Sequence, residues 1–412
     1  MKRIALTVVA LFGTISLLSA QIKLGIDVLQ QNNFREIAGR RVGLITNPTG
    51  VNRNLVSTID ILSGADAQKA GVQLTALFAP EHGVRGDIEA GVKVENVRDS
   101  RSGAMIYSLY GNGYKPQKSM LTDVDVLIFD IQDIGSRSYT FISTLGLAME
   151  AAAENQIPFV VLDRPNPLGG DKIEGIITEQ GFSSFVSKYP IPYIHGMTIG
   201  ELAQLYNQEG MLRNGVKCDL TVIPMEGWQR SMDWEDTGLE WVATSPHIPQ
   251  AKTSIYYPIT GVAGELQTIN IGVGYTLPFE IFGATWIEDA DALADHLNAM
   301  NVPGTIFRAT HVRPYYGSGK GKTIHGVQVH ITNARIAPLT LILYYFMSAI
   351  DELYDRNLFS GATPERISMF DKVSGSSRMR EAYLSQGLDG VIPIWLEDIS
   401  TFREQRKPYL LY

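Results

Sequence analysis

One cysteine, Cys218, stands among 412 residues. Such a chain cannot form an internal disulfide, and metal sites built from several thiolates are excluded. Charge is also sparse: Asp, Glu, Lys and Arg make up 19% of the residues, and the formal net charge is −8. A field of that sign does not draw a protein to nucleic acid. Familiar catalytic signatures are missing too. There is no HExxH and no GxSxG, and the glycine-rich GVGYT (272–276) lacks the lysine and the strand–helix context of a phosphate loop. His82, His195 and His247 with Asp130 are too scattered to indicate zinc. Neither a metal nor a cofactor is expected.

Long apolar runs are reduced to one, IALTVVALFGTISLL (4–18), too short for a comfortable membrane span. It follows Lys2 and Arg3 and leads to Ser19 and Ala20. A charged start, a short apolar middle and small residues at the end predict a secretory signal over 1–20, with cleavage before Gln21. No cysteine follows the run, so a lipid anchor is not expected. Export combined with a single cysteine points to a bacterial periplasm.

What remains is a globular composition, 45% apolar, in a chain long enough for two domains. Four segments of the first half share a pattern: a short apolar or β-branched run that breaks into a polar tip. RVGLITNPTG (41–50) ends at Asn47. LTALFAPEHG (74–83) ends at Glu81 and His82, with Arg85 close behind. VDVLIFDIQDIGSRSYT (124–140) ends at Asp130, Gln132, Asp133, Arg137 and Tyr139. PFVVLDRPNPLGG (158–170) ends at Asp163, Arg164 and Asn166. Continuous apolar runs predict strands covered on both faces, as in a parallel sheet. Helical patterns over 55–64 and 139–155 lie between runs, and HGMTIGELAQLYNQEG (195–210) reads as a helix capped by Thr198 with Glu201 three residues on.

The expected fold is α/β: a Rossmann-like open parallel-sheet domain over 21–258, then a smaller α+β auxiliary domain over 259–412. The second part holds an alternating strand at 326–332, a helix through 339–354, helix and loop over 370–387, and a basic, then apolar, end at 402–412. In open parallel sheets ligands bind beyond the carboxyl ends of the strands. The four polar tips would therefore converge on one crevice.

Glu81 is the leading catalytic candidate. A carboxylic acid against apolar walls keeps its proton to higher pH and can serve as a general acid. His82 and Asp130 are the other catalytic candidates. Asp130 and Gln132, two apart on a strand, share a side, and paired carboxylates can bind sugar hydroxyls, hold a cation or orient a base. Arg137 supplies a bidentate donor and Tyr139 an aromatic platform. The two prolines and two glycines of DRPNPLGG would hold Asp163, Arg164 and Asn166 rigidly. His195 completes the set; a packed, hydrogen-bonded histidine is its plain alternative.

Taken together, LGIDVL, VGLITNPTG, FAPEHGVRG, FDIQDIGSRSYT, DRPNPLGG and YPIPYIHGMTIGELA resemble the bacterial exo-β-N-acetylmuramidases. The resemblance implies an exo-acting glycosidase that releases N-acetylmuramic acid from the non-reducing end of peptidoglycan-derived glycans such as MurNAc–GlcNAc. It also implies an active site in the cleft between a Rossmann-like domain and an auxiliary one. It puts the catalytic role on Glu81, and aligns Asp130, Gln132, Arg137, Tyr139, Asp163, Arg164, Asn166 and His195 with other motif positions. Asn47, Arg85 and Asp133 join them as substrate contacts. Relatives carry an EGTN segment and a GRGT-like one before PFE. This chain reads GELQTINIGVGYTLPFE, with Tyr275 where arginine is expected and Glu265 standing for the glutamate.

Hydrolysis needs an acid at the leaving oxygen and a carboxylate that attacks or activates water. Asp130, Asp133 and Asp163 are all eligible partners for Glu81, and the substrate's own N-acetyl group is another. Arg137 or Arg164 would suit the lactyl carboxylate. A periplasmic amino-sugar-binding protein without catalysis is the second reading, and a metal-dependent hydrolase the third.

Overall fold

Seven strands form the first sheet: β1 (Arg41–Thr46), β2 (Gln73–Ala79), β3 (Val97–Arg98), β4 (Met105–Ser108), β5 (Val126–Asp130), β6 (Phe159–Leu162) and β7 (Leu220–Ile223). The computed structural model describes residues 21–80, 83–85, 97–109, 114–397 and 399–412. The expected signal segment, Glu81 and His82 lie outside these. The strand order is β3-β4-β2-β1-β5-β6-β7, and only β3 runs antiparallel to its neighbour. All four strands read from the sequence are present and parallel, and they lie side by side as β2-β1-β5-β6.

The apolar runs explain the layering. Every residue of β5 and β6 is buried. Val42, Leu44, Leu77, Val126 and Ile128 face α1 (Gly25–Gln31), α2 (Thr58–Ser63) and α3 (Ala65–Lys69). Ile45, Phe78, Leu127 and Phe129 face α4 (Phe141–Glu154) and α5 (Ile199–Gln208). A strand apolar at every position needs cover on both faces, and here it has it. At α1 the cover is so close that a Cβ on Gly25 would stand 2.4 Å from the Asp163 nitrogen. Helix α5 starts as expected: Thr198 Oγ1 accepts from the Glu201 N–H, and Glu201 accepts from the Thr198 N–H at 3.0 Å.

After the short α6 (Trp234–Thr237), the second part begins with α7 (Thr253–Gly264), which runs unbroken through Pro258. The expected boundary at 258 falls inside this helix. Then come β8 (Ile281–Ala284), α8 (Ala290–Ala299), β9 (Thr305–Val312), β10 (Ile324–Ile331), α9 (Ile342–Tyr354), α10 (Pro364–Ser374), α11 (Arg378–Glu397) and α12 (Ile399–Arg406). The strands pair antiparallel in the order β8-β10-β9. Phe282, Phe307, Val327 and Val329 pack with Leu293, Leu297, Ile342 and Phe346, and the same core takes in Ile134, Tyr193 and Ile194 from the first domain. The core of the second domain thus extends across the junction into loops of the first. Among the described residues no helix is long and apolar enough to cross a membrane.

Arg137 pins that junction. It has no solvent exposure. Its guanidinium donates to the Ile176 and Ile191 carbonyls at 2.7 Å, to Ser187 Oγ at 3.1 Å, and across the junction to the Val373 and Ser374 carbonyls at 3.2 and 2.5 Å. The position expected to meet a substrate carboxylate is instead a scaffold, because every donor group already serves a backbone oxygen or a serine. Arg137→Ala leaves those carbonyls without donors and opens a void. A loss of more than about 3 kcal/mol is expected, read in urea denaturation of the full chain; a loss below about 1 kcal/mol would contradict the pinning role.

Candidate functional site

Parallel pairing sets Thr46, the last residue of β1, opposite Asp130, the last of β5. On its other side β1 pairs with β2, Ile45 opposite Phe78, so the carboxyl ends of the three strands lie abreast. This is the switch point of the sheet, where neighbouring connections depart in opposite directions and leave a crevice.

Asp130 stands there with no exposure. Arg164 Nε donates to its Oδ1 at 2.6 Å, and the Thr58 hydroxyl from α2 donates to its Oδ2. Arg164 Nη2 donates to the Val51 carbonyl at 2.7 Å. Expected as a catalytic group, Asp130 is instead half of a sealed ion pair. Arg164, expected to touch substrate, is the other half. Asp163 is likewise occupied: Oδ1 accepts from the Gly200 N–H at the start of α5 (2.8 Å), and Oδ2 accepts from the Thr198 and Tyr412 hydroxyls, each at 2.7 Å. Burial raises its pKa to about 6 against these hydrogen bonds. Asn166 donates to the Met197 carbonyl at 3.0 Å and accepts from the Leu168 N–H at 2.9 Å, joining two loops. Arg85 grips Asp99 through Nε and Nη2 at 2.7 and 3.1 Å, with Asp60 at 3.4 Å. That bidentate grip holds the Asp99 carboxyl well below the usual carboxylate range. Asp163 and Asn166 thus hold loops together, and Arg85, still partly exposed, clasps Asp99.

Among the described residues, four expected ones keep unsatisfied polar capacity, and they form a connected run. Asn47 Oδ1 accepts from the Thr49 N–H at 2.9 Å, and Thr49 Oγ1 accepts from the Gln132 N–H at 2.9 Å. Gln132 Nε2 donates to the Asp133 and Pro165 carbonyls at 2.8 and 2.7 Å. Asp133 Oδ2 accepts from the Gly135 N–H at 2.8 Å and stands 3.8 Å from His195 Nε2. His195 Nδ1 accepts from the Met197 N–H at 3.2 Å, which assigns the ring proton to Nε2. Among the described residues, Asn47 Nδ2, Gln132 Oε1, Asp133 Oδ1 and His195 Nε2 are all buried without a hydrogen-bond partner. Buried polar atoms are normally paired, so such a concentration marks a place built for a polar guest. Of the three aspartates weighed as partners for Glu81, only Asp133 has a carboxylate oxygen without a hydrogen-bond partner among the described residues.

Tyr139 links this edge to the second domain: its hydroxyl donates to Thr244 Oγ1 at 2.8 Å, and its ring meets Tyr257 of α7 edge-on. Glu265 stands at the end of α7. Glu280, in LPFE, is buried between Lys252 at 3.2 Å and Gln328 at 3.1 Å. Sequence reasoning missed Thr58 and Tyr412. Thr58 is one polar residue in an amphipathic helix, and Tyr412 is 249 residues from the aspartate it holds; neither leaves a local signature. Among the described residues no cluster of three or more His, Cys, Asp or Glu is arranged for a metal.

Comparisons agree with this architecture. Residues 42–252 match the family described as exo-beta-N-acetylmuramidase NamZ, N-terminal, and residues 255–412 match its C-terminal counterpart. The chain belongs to the exo-β-N-acetylmuramidase NamZ family. A peptidoglycan beta-N-acetylmuramidase NamZ of Bacillus subtilis (strain 168) is 41% identical, over 99% of this chain and 98% of that one. Two crystal structures of DUF1343 family proteins from Bacteroides fragilis NCTC 9343 superpose on this chain. One has a TM-score of 0.89 at 50% identity and the other 0.77 at 28%; each comparison covers 95% of this chain and 99% of the other. The two family segments meet between 252 and 255, where α7 begins.

Asp163 carries a pH prediction. Its folded pKa is above the ordinary 3.8. The folded state therefore holds the proton more tightly, and this contribution to stability is full below pH 4 and is lost as pH rises through about 6. Asp163→Asn removes the titration. The stability difference between wild type and variant should move by roughly 2 kcal/mol in favour of the variant from pH 4 to pH 8. Urea denaturation across that range checks it, and a flat difference contradicts it.

Proposed function

We propose that this chain is an exo-lytic β-N-acetylmuramidase that releases N-acetylmuramic acid from the non-reducing end of peptidoglycan-derived glycans, MurNAc–GlcNAc among them, in cell-wall turnover or recycling. The observation that carries the reading is family membership along both domains. The run of unpartnered polar atoms at the switch point supports it, because a sugar offers many hydroxyl and amide groups to such atoms. The charged start and short apolar run at 1–20 support export to the periplasm.

Glu81 is proposed as the general acid. It follows Pro80, which is joined to Ala79 at the end of β2, beside the tip of β1. The acid gives its proton to the glycosidic oxygen as the bond from that oxygen to the anomeric carbon breaks. Water then supplies hydroxide to that carbon, and a carboxylate takes the water's proton. His82 is proposed beside Glu81 in the same role cluster. Asn47, Gln132, Asp133 and His195 are proposed as the polar floor that orients the sugar. Asp130 and Arg164 hold the strand tips in place from below.

The test is release of chromophore from a chromogenic N-acetylmuramic acid glycoside, with and without chelator. Wild type should cleave in both, and Glu81→Gln should lose at least about 100-fold in kcat. Binding without cleavage by wild type would favour a sugar-binding protein, and loss of activity on chelation a metal-dependent hydrolase.

A further inference from the structure

Strands β9 and β10 form a hairpin whose ladder sets His311 directly opposite His325, one rung before the last pair, Val312 and Ile324. Side chains alternate along a strand, so His325 shares its face with Val327 and Val329, and His311 shares its face with Phe307 and Ala309. Phe307, Val327 and Val329 lie in the core of the second domain. At the histidines that cover ends: His311 is exposed and His325 half-buried. The two rings meet edge to face with centroids 4.9 Å apart, and their Nδ1 atoms are 2.7 Å apart. Fourteen residues separate the pair in sequence, so the hairpin alone brings them together.

The pair stands at the base of the loop over 313–323. Gly317, Gly319 and Gly321 take left-handed conformations there, and Tyr315, Tyr316, Lys320 and Lys322 are exposed. The loop's ends are tied to each other: Arg313 Nε donates to the Gly321 carbonyl at 2.7 Å, and the Gly321 N–H donates to the Pro314 carbonyl at 2.9 Å. Its tip reaches other segments. The Tyr315 N–H donates to the Gly274 carbonyl at 2.7 Å, and the Tyr316 hydroxyl is 2.8 Å from His247 Nε2 in the loop before α7. Whatever fixes the base of this loop therefore also steadies a contact between distant parts of the chain.

Two neutral imidazoles this close have two stable arrangements. One ring can donate an Nδ1–H to the other. Alternatively, both rings carry their proton on Nε2, and the two Nδ1 lone pairs face one cation. A histidine nitrogen bonds zinc at about 2.0–2.1 Å, so two such nitrogens on one ion stand roughly 2.9–3.4 Å apart. The pair is within a few tenths of an ångström of that spacing. Imidazole also selects transition metals over magnesium and calcium. We propose that His311 and His325 are a two-imidazole chelate for a divalent transition-metal ion of the zinc class, which clips β9 to β10 beneath the 313–323 loop. Among the described residues no third histidine, cysteine or carboxylate joins them. Water completes the shell, and the site differs both from a closed four-ligand zinc centre and from a three-ligand catalytic one. Its role is to brace the loop, and hydrolysis does not pass through it.

The test titrates the full chain with zinc chloride at neutral pH by calorimetry. His311→Ala and His325→Ala should each weaken zinc binding at least about tenfold, since loss of even an outer partner of a ligand costs that much. His296→Ala is the control: His296 Nε2 stands 3.1 Å from Glu352, a rival place for an ion, and its loss should leave the affinity unchanged. Excess magnesium should not compete. Zinc should raise the Tm of wild type but not of the two hairpin variants. It should also slow tryptic cleavage after Lys320 and Lys322 in wild type alone. If wild type binds no zinc, or binds it as tightly after both alanine substitutions, the pair is only a hydrogen bond and the site is overturned. Binding that leaves tryptic cleavage unchanged overturns the clip. Hydrolysis of the chromogenic glycoside in chelator should persist in wild type and in both hairpin variants, so the muramidase reading stands or falls separately.

Discussion

Asp130 and Arg164 are both almost wholly removed from water at the carboxyl edge of the sheet, 2.6 Å apart. An isolated charge in that position would be prohibitive, so each group exists there only because the other does. The pair does more than neutralise itself. Thr58 brings α2 to it, the Val51 carbonyl brings the loop after β1, and the Asp130 backbone carbonyl accepts from Thr46 Oγ1 at 2.9 Å. One ion pair therefore sets the relative positions of β1, β5, β6 and α2, the elements that surround the crevice. Removing either partner would leave an uncompensated charge in the interior, so the arrangement holds or fails as a unit.

A second tier of clasps surrounds it. Asp163 ties the end of β6 to the start of α5 and to the last residue of the chain, and Met225 donates its N–H to the Tyr412 hydroxyl at 2.8 Å. Arg406 in α12 donates to the Gly170 and Gly196 carbonyls at 2.8 and 2.6 Å. The chain's end thus returns from the auxiliary domain to strap the Rossmann-like one. Together with Arg137 and the apolar core that spans the junction, these contacts tie the two domains to one another.

This explains why charged motif residues divide as they do. Those with long, strongly donating side chains, Arg85, Arg137 and Arg164, are consumed in holding loops and domains. Among the short side chains, Asp130, Asp163 and Asn166 are also fully engaged, whereas among the described residues Asn47, Gln132, Asp133 and His195 each keep a buried atom without a hydrogen-bond partner. A guanidinium has five donors and can knit several loops at once.

Local pattern was enough for much of the fold. Apolar runs with no polar alternation identify β1, β2, β5 and β6 as doubly covered strands, because solvent on one face would demand alternation. Thr198 with Glu201 announces α5, because a cap is a property of four adjacent residues. The polar tips mark the crevice, because a parallel sheet puts its carboxyl ends on one edge. The roles within that edge were not legible. Whether Asp130 meets a sugar or an arginine depends on Arg164, 34 residues away, and whether Asp163 is exposed depends on Tyr412, 249 residues away. Spacing records which side chains are near in sequence. Burial and partner choice are settled only when distant segments compete for the same donor, and that competition exists in the folded chain alone.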